Sequence, residues 1–304
     1  MCADNPERYG RYALVTPARN EQAYIANTIL SVITQSVKPV RWVIVSDGST
    51  DATDSIVEKY AADNAFIRLL KRDGDPRRNF GSQVRAIQAG SRLLEGVRYD
   101  FFGNLDADIS FGPDYYEQIL TKFRENPKLG LAGGFVHEKM KDEFRSRKFN
   151  SRNSVPHAVQ FFRRKCYEDV GGYIPLKYGG PDWHAEVTAR MNGWEVRSFP
   201  EIKVFHHRRT LGADGVLSGG YRQGMMDYSL GSSALFEILK CMTRVAHRPY
   251  FIYAACRLAG FAAACLKREQ RIVSREFVSF LQNEQRARLA GIFKGEKDAR
   301  GLRT

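Results

Sequence analysis

The sequence predicts an α/β domain with a mainly parallel β-sheet flanked by helices, followed by a mainly helical C-terminal extension. Three observations support this prediction. Short apolar runs alternate with segments of helical periodicity over residues 11–135, polar residues cluster directly after several of these runs, and the last part of the chain is largely helical in pattern. Strands that alternate with helices form parallel sheets covered on both faces.

The elements of the first half follow one another in a regular order. Runs rich in Val, Ile, Leu and Phe predict buried strands, and apolar residues three or four positions apart predict helices. Strands are predicted at Tyr12–Thr16, Arg41–Ser46, Phe66–Leu70, Tyr99–Leu105 and Leu129–Val136. Helices are predicted at Glu21–Gln35, Asp51–Asp63, Gly81–Glu95 and Pro113–Asn126, the last of which begins with a proline.

The second half of the chain is less regular. The polar and basic segment His137–Ser154 predicts a loop, and the six glycines of Leu211–Gly231 predict a flexible flap. Between them, strands are predicted at His157–Arg163, Glu195–Phe199 and Lys203–His207, and a helix at Asp182–Asn192. The pattern is largely helical from Ser232 to Gly291. We therefore divide the sequence into a domain over 1–231, with halves at 11–135 and 136–231, and an extension over 232–304.

Composition excludes several classes of protein. The 304 residues are 43% hydrophobic and 27% charged, which is a globular balance and not that of a disordered or polytopic membrane protein. Of the net charge of +13, a surplus of 8 lies within Arg244–Thr304, so the extension is the basic part and is suited to anionic partners. The five cysteines show no Cys-x-x-Cys or Cys/His spacing, which predicts neither a disulfide framework nor a zinc site.

Acidic residues follow two of the predicted strands. The carboxylate of Asp47 is placed to accept hydrogen bonds from a nucleobase or from ribose hydroxyls, or else it belongs to a simple turn. Asp106 and Asp108 follow a buried strand one residue apart, and carboxylate oxygens are the ligands that Mg²⁺ and Mn²⁺ prefer. After the first strand, Asn20 is expected to cap the following helix. Because ligands bind at the carboxyl ends of parallel strands, we expect these residues at one site.

Several ordered motifs resemble those of family 2 glycosyltransferases with the GT-A fold. They lie at Tyr12–Glu21, Val43–Asp51, Gly81–Gly90, Leu105–Asp108, Phe161–Tyr173, Gly179–Trp194 and His206–Arg209. The resemblance covers residues 11–210 and implies transfer from a nucleoside-diphosphate sugar to a saccharide or lipid-linked saccharide, as in cell-surface polysaccharide or glycolipid biosynthesis. UDP is the first expectation for the nucleotide, with GDP and dTDP left open. The Gln-x-x-Arg-Trp signature of many processive members is absent, so transfer of a single sugar is expected.

The resemblance also implies roles for particular positions. The donor nucleotide would be bound by Pro17, Arg19, Glu21, Asp47, Arg85 and Asp106. Among these, Asp47 would hydrogen-bond the base, and Asp106 would contact the ribose or the metal. Asp108 would hold the Mg²⁺ or Mn²⁺ ion against the diphosphate.

Asp182 is the expected general base. It follows a glycine-rich turn at the start of a predicted helix, from where its carboxylate can take a proton from an acceptor hydroxyl; simple helix capping is the alternative. Relatives often carry Glu-Asp where this chain has Pro181-Asp182, which leaves Glu186 as a second candidate. His207 is a candidate third metal ligand, and the arginines that follow it can neutralise a leaving diphosphate.

The apolar segment Tyr250–Leu266 contains a central Arg257 and is too short to span a membrane. Its basic flanks suit an anionic bilayer surface, which predicts peripheral membrane contact through residues 244–271; packing against another helix or a second copy is the alternative. Since no apolar signal-peptide core precedes Gly10, we expect a location in the cytoplasm, including the cytoplasmic face of the membrane.

Other classes of function fit less well. A sugar-nucleotide nucleotidyltransferase needs a Gly-x-Gly-Thr-Arg-type loop, and a dehydrogenase needs Gly-x-Gly-x-x-Gly, where this chain has Thr16-Pro17-Ala18-Arg19. A non-catalytic basic module that binds anionic membrane or nucleic acid explains the charged tail but not the ordered acidic residues. The sequence therefore favours an inverting, metal-dependent transferase that does not bind nucleic acid.

Overall fold

A computed structural model describes residues 6–74, 80–140, 143–147, 150–208, 215–243 and 251–293. The chain forms two compact units. The first unit comprises residues 1–175 and 181–209, and the second comprises residues 176–180 and 210–304. Residues 210–231, which the sequence division placed with the first domain, thus belong to the second unit.

The first unit is built on one sheet, in which the described residues form nine strands. These are β1 (Tyr12–Ala18), β2 (Arg41–Asp47), β3 (Ile67–Arg72), β4 (Phe101–Asn104), β5 (Ile109–Phe111), β6 (Leu129–Met140), β7 (Glu143–Ser146), β8 (Phe161–Arg163) and β9 (Glu195–His206). Their order is β3-β2-β1-β4-β8-β6-β9-β5, with β7 paired to β6. Strands β1 to β4, β6 and β9 run in one direction, whereas β5, β7 and β8 run antiparallel to their neighbours, so six of the nine described strands are parallel to one another.

Helices cover both faces of this sheet because its buried strands are apolar on both sides. The helices of the first unit are α1 (Pro6–Tyr9), α2 (Ile25–Ile33), α3 (Thr53–Asp63), α4 (Phe80–Arg92), α5 (Tyr115–Glu125), α6 (Arg164–Val170) and α7 (Pro181–Met191). Along β1, Tyr12 and Leu14 pack with residues of α2, α3 and α5, whereas Ala13 and Val15 pack with residues of α4, α6 and α7. This alternation is the period of a strand, and it confirms the predicted α/β architecture.

The structure differs from the sequence prediction in three segments of the first unit. The expected loop at 137–154 contains the end of β6, which pairs with β7 through the backbone, a contact that side-chain hydrophobicity does not report. The expected strand at 157–163 is a short 3₁₀ helix, His157–Val159, followed by β8. Glu195–His206 is a single strand in place of the two that were predicted. Its pairing with β6 continues on both sides of an irregularity in the register.

The second unit is helical, as predicted, in its described part. It contains α8 (Val216–Ser229), α9 (Ala234–Met242), α10 (Ile252–Leu266) and α11 (Arg275–Phe293). The glycine-rich segment expected to be a flap is largely helix α8, whereas its residues 211–214 lie outside the described residues. The glycines serve close packing: a Cβ atom on Gly224 would lie 1.9 Å from the carbonyl oxygen of Arg257, and one on Gly260 would lie 1.9 Å from that of Tyr221.

Helix α10 contains most of the apolar segment for which the sequence left two alternatives open, contact with a membrane and packing inside the protein. One face of it, through Ala254, Phe261 and Ala264, is buried in the second unit. The Arg257 guanidinium is buried as well, and it bonds to the carboxylates of Asp227 and Glu237. Internal packing therefore accounts for this face of α10, and within the described residues no helix is long and apolar enough to cross a bilayer. Residues 244–250 of the predicted contact segment lie outside the described residues.

Candidate active site

The loops after β1 and β2 are joined by hydrogen bonds at the carboxyl edge of the sheet. Asn20 has a left-handed backbone (φ 55°), and its Oδ1 accepts from the Thr50 amide at 2.8 Å. The amide of Glu21 donates to Thr53 Oγ1 at 2.7 Å, and that of Gln22 donates to Asp51 Oδ2 at 3.1 Å. Asn20 thus ties two loops together and does not cap α2, whose N-cap is Tyr24. These bonds hold the neighbouring site residues on a fixed framework.

Asp47 is the last residue of β2 and is buried at this edge. Its carboxylate lies 3.3 Å from the guanidinium of Arg72 at the end of β3. The turn that follows is forced by Gly48, whose φ of 72° and close approach to the Gly74 backbone leave no room for a side chain. Asp47 is therefore oriented by a neighbouring strand, at the position where the sequence predicts recognition of the nucleobase.

Asp106 follows β4 and is surrounded by polar side chains. Gln83 Nε2 donates to its Oδ1 at 3.1 Å, and His157 Nδ1 lies 3.5 Å from the same oxygen. Burial by itself would raise the pKa of Asp106, but the hydrogen bonds from His157 and Asn104 and the nearby charge of His206 lower it. The carboxylate of Asp106 is thus kept ionised.

Asp108 is buried beside cationic groups that come from the end of β9. Its Oδ2 lies 3.2 Å from His206 Nε2 and 3.6 Å from Arg208 Nε, and Arg208 also bonds to Glu21 at 2.5 Å. Burial and the charges of Asp108 and Asp106 raise the pKa of Glu21 to about 7, despite the adjacent guanidinium. The carboxyl groups of three residues therefore meet a histidine and an arginine side chain at the ends of β1, β4 and β9.

The two adjacent histidines at the end of β9, His206 and His207, have different surroundings. His206 is the one whose ring reaches Asp108. The ring of His207 instead lies 2.7 Å from Ser110 Oγ and stacks on Tyr24, while its amide donates to the Asp108 carbonyl at 3.0 Å. Among the described residues, no group of three His, Cys, Asp or Glu side chains converges on one point as a metal site.

Asp182 lies in the first turn of α7. Among the described residues, no hydrogen bond or ion pair engages its carboxylate, while its main-chain carbonyl accepts from Gln160 Nε2 at 3.4 Å. The negative charge of Asp182 is close enough to influence the pKa values of His157, Tyr173 and Glu186. The carboxylate is thus available for chemistry in the neighbourhood of the strand-end residues.

Glu186, the second candidate base, is buried one helical turn further on. Its Oε1 accepts from the Val155 amide at 2.7 Å and from Ser154 Oγ at 3.0 Å. Burial, and to a lesser extent the charge of Asp182, raises the pKa of Glu186 to about 8, although Arg190 opposes this shift. These contacts give Glu186 the role of holding the segment at 154–155.

The raised pKa of Glu186 predicts a pH-dependent contribution to stability. The folded chain keeps this proton up to about pH 8 while the unfolded chain releases it near pH 4.5, so stability falls as pH rises between these values. The glutamine of Glu186→Gln is neutral at every pH and keeps the acceptor oxygen. As the pH rises over this interval, we therefore expect the free energy of unfolding of the variant to increase by roughly 2–4 kcal/mol relative to that of the wild type. Urea unfolding at pH 5, 6, 7 and 8 measures this, and parallel profiles of the two proteins would contradict it.

Three other predicted site residues lie on the same framework. Pro17 and Arg19 are half-buried at the end of β1 and in the turn after it. Arg85 is half-buried on α4, where it donates to Ser82 Oγ at 3.2 Å. Sequence reasoning assigned no site role to Gln83, Asn104 or His157, although a polar residue within an apolar strand pattern, as at Asn104 and His157, is a signal that could have found two of them.

The first unit is thus a mostly parallel sheet with helices on both faces and with acidic residues at several strand ends. The family model for glycosyl transferase family 2 matches residues 13–177. The match covers more than half of the chain, which therefore belongs to this family and is a glycosyltransferase.

Curated relatives match over 115–124 residues of the chain. The chain is 29% identical over 120 residues to chondroitin synthase of Escherichia coli and 29% identical over 115 residues to poly-β-1,6-N-acetyl-D-glucosamine synthase of Staphylococcus aureus. It is 25% identical over 124 residues to an uncharacterised glycosyltransferase of Haemophilus influenzae. The matches cover 38–41% of this chain but only 16–36% of these relatives.

Solved structures show the same fold. The mannosyltransferase PcManGT of Pyrobaculum calidifontis, in complex with GDP-Man and Mn²⁺, aligns over 96% of this chain and 84% of its own, with a TM-score of 0.53 and 16% identity. S. aureus TarS 1–349, in complex with UDP-GlcNAc, aligns over 90% and 79%, with a TM-score of 0.55 and 14% identity. The GT-A fold predicted from the sequence is thereby confirmed.

Proposed function

We propose that this glycosyltransferase transfers one sugar from a nucleoside-diphosphate sugar, with UDP as the preferred nucleotide, to an acceptor hydroxyl with inversion at the anomeric carbon. The observation that carries this proposal is the grouping of Asp47, Asp106 and Asp108 at strand ends of one sheet edge, with Asp182 in the same unit and its carboxylate bonded to no described residue. The absence of a Gln-x-x-Arg-Trp motif in the sequence supports single transfer.

The donor nucleotide would lie across the ends of β1, β2 and β4. Asp47, oriented by Arg72, would accept hydrogen bonds from the base. Glu21 and Asp106 would face the ribose, with Pro17 and Arg19 at its border and Arg85 towards the diphosphate. Arg208 is already at Glu21 and Asp108, and its charge would offset that of the leaving nucleotide.

Mg²⁺ or Mn²⁺ is the proposed cofactor. The donor set fits such an ion, because Asp106 and Asp108 supply hard carboxylate oxygens and a histidine from the end of β9 can add a nitrogen. His207 was the candidate for this role from the sequence, whereas the contact between Asp108 and His206 favours His206. A bound ion would supply charge neutralisation at the diphosphate.

The chemical step assigned to this chain is proton removal from the acceptor. Asp182 would accept the hydroxyl proton as the acceptor oxygen attacks the anomeric carbon, and the bond from that carbon to the diphosphate oxygen would break on the opposite face. The developing positive charge on the sugar ring is oxocarbenium-like, as in other glycosyl chemistry. Glu186 is occupied by Ser154 and Val155, which favours Asp182 over it as the base.

Donor hydrolysis tests the proposal without a known acceptor. We expect slow release of UDP from UDP-GlcNAc or other UDP-sugars when the protein is incubated with Mn²⁺, and no release when EDTA replaces the metal. GDP-mannose serves as the alternative donor, because PcManGT was solved with it. Absence of nucleotide release and of nucleotide binding with every donor, in folded protein, would contradict the proposal.

We also propose that the second unit docks on an anionic membrane surface, which would suit a lipid-linked acceptor. The turn between α10 and α11 exposes Leu266 and Ile272, at 84% and 55% of their surface. Three exposed basic residues lie between them in the sequence: Lys267, Arg268 and Arg271. The one acid in this stretch, Glu269, bonds to Lys177 at 2.7 Å and to Tyr178 at 2.9 Å. Exposed apolar side chains between basic ones match an anionic bilayer in chemistry and charge.

Sedimentation with lipid vesicles tests this docking surface. We expect the wild type to bind vesicles containing phosphatidylglycerol and to bind pure phosphatidylcholine vesicles weakly, because each basic residue contributes about 1 kcal/mol at an anionic surface. The double variant Leu266→Ser/Ile272→Ser should lose most of this binding. Leu93→Ser is the matched control, since Leu93 is 48% exposed in the first unit. Equal binding by the double variant and the control would refute the docking surface.

A further inference from the structure

His157 is held firmly beside the end of β4. It begins the short 3₁₀ helix before β8, and its side chain is 15% exposed. The Asp106 amide donates to the Ala158 carbonyl at 3.0 Å, and Asn104 Nδ2 donates to the His157 carbonyl at 2.6 Å. The imidazole also packs on the ring of Tyr173, with 5.3 Å between centroids. The position of this ring is therefore fixed by backbone and aromatic contacts.

The imidazole faces the carboxylate of Asp106 through Nδ1. The distance from Nδ1 to Asp106 Oδ1 is 3.5 Å, and Gln83 Nε2 reaches the same oxygen at 3.1 Å. His157 Nδ1 also lies 3.2 Å from Asn104 Nδ2 and 3.5 Å from Gln83 Nε2, so the imidazole is part of a polar cluster around this carboxylate. Gln83 lies on α4 and is exposed, so His157 is the more rigid of the two supports.

The second ring nitrogen shows that His157 is not an ordinary core histidine. His157 Nε2 is buried, and no hydrogen-bond partner for it is present among the described residues. Such an atom costs about 1–3 kcal/mol, and buried polar side chains normally have partners.

We propose that His157 is a positioning residue for donor binding, acting through the carboxylate of Asp106. This inference rests on the proposed function, in which Asp106 faces the donor ribose or the metal. The imidazole holds Asp106 in the orientation that the donor requires before the donor arrives, so that its loss weakens donor binding more than it slows the chemical step.

Three variants separate the two nitrogens of the ring. Asparagine places an amide nitrogen near the position of Nδ1, glutamine places one near the position of Nε2, and alanine removes both. The measurements are the affinity for UDP and for GDP in the presence of Mn²⁺ by calorimetry, and KM and kcat for donor hydrolysis. His137→Asn on β6 is the matched control, and melting temperatures without nucleotide verify that each variant is folded.

We expect His157→Ala and His157→Gln to weaken nucleotide binding and to raise KM by about 10-fold or more, with kcat changed by less than about threefold. His157→Asn should restore binding to within about threefold of the wild type. Wild-type affinity in His157→Ala, or equal weakening by asparagine and glutamine, would overturn this inference. If the wild type itself binds neither nucleotide and hydrolyses no donor, the proposed function fails instead.

Discussion

Asp108→Ala is expected to reduce transfer and donor hydrolysis by about 10³-fold or more, and to abolish metal-dependent nucleotide binding. Asp108 is the buried carboxylate at which His206 and Arg208 meet. Its removal takes away the proposed metal ligand and leaves the side chains of His206 and Arg208 without their shared partner. Nucleotide release from a UDP-sugar, together with calorimetric titration of UDP with and without Mn²⁺, measures both effects.

The matched control for this variant is Asp63→Ala. Asp63 is an exposed aspartate at the end of α3, so its loss should leave activity unchanged. An Asp108→Ala protein that binds UDP and Mn²⁺ as tightly as the wild type would disprove the role of Asp108 in the donor site.

Asp182→Asn should reduce transfer by roughly 10²–10⁴-fold while nucleotide affinity stays at the wild-type value. The amide is nearly the same size as the carboxylate but cannot accept the acceptor proton. Because no described residue bonds to this carboxylate, the substitution breaks no contact of the described structure, and the melting temperature should be unchanged. Steady-state kinetics and calorimetry on the same preparation separate the two quantities.

A parallel loss of nucleotide binding would place Asp182 in the donor site and not at the acceptor. Wild-type turnover in Asp182→Asn would show that another group takes the proton. Glu186→Gln then becomes the informative comparison, since Glu186 is the only other carboxylate on α7.

The strand-end residues could be predicted from the sequence because a buried strand limits where its polar residues can lie. In β2 and β4 the apolar run is followed at once by Asp47 or by Asn104, Asp106 and Asp108, and parallel pairing brings these ends to one edge. The same argument predicts the layers of helices, since apolar residues alternate between two faces in β1 and β2. Local pattern and global fold agree here.

The orientation of particular side chains could not be predicted in the same way. Successive residues of a strand face opposite sides, so a shift of one position decides whether His206 or His207 faces Asp108. That choice depends on the pairing of Ile109 with His206 and on an irregular register between β6 and β9, neither of which has a sequence signal. His157 and Gln83 reach Asp106 through tertiary contacts between segments distant in the sequence.

The prediction of a flexible flap from the glycines of 211–231 was wrong for a related reason. Glycine lowers helix propensity, and a segment with six of them is typical of a flap. In the second unit, however, the approach of α8 to α10 at Gly224 and Gly260 requires the absence of a side chain. Tertiary packing thus overrides the intrinsic preference of the segment.

Thermal unfolding with UDP, GDP, CDP and dTDP, each with Mn²⁺ and again with EDTA, tests the central claim most directly. Binding to the folded state raises the melting temperature by mass action, with about 2.7 kcal/mol of stabilisation at a ligand concentration of 100 times Kd. The proposed donor site predicts a rise with UDP that disappears in EDTA and in Asp108→Ala. The absence of a rise with any nucleotide, or a rise that persists unchanged in EDTA and in Asp108→Ala, would contradict it.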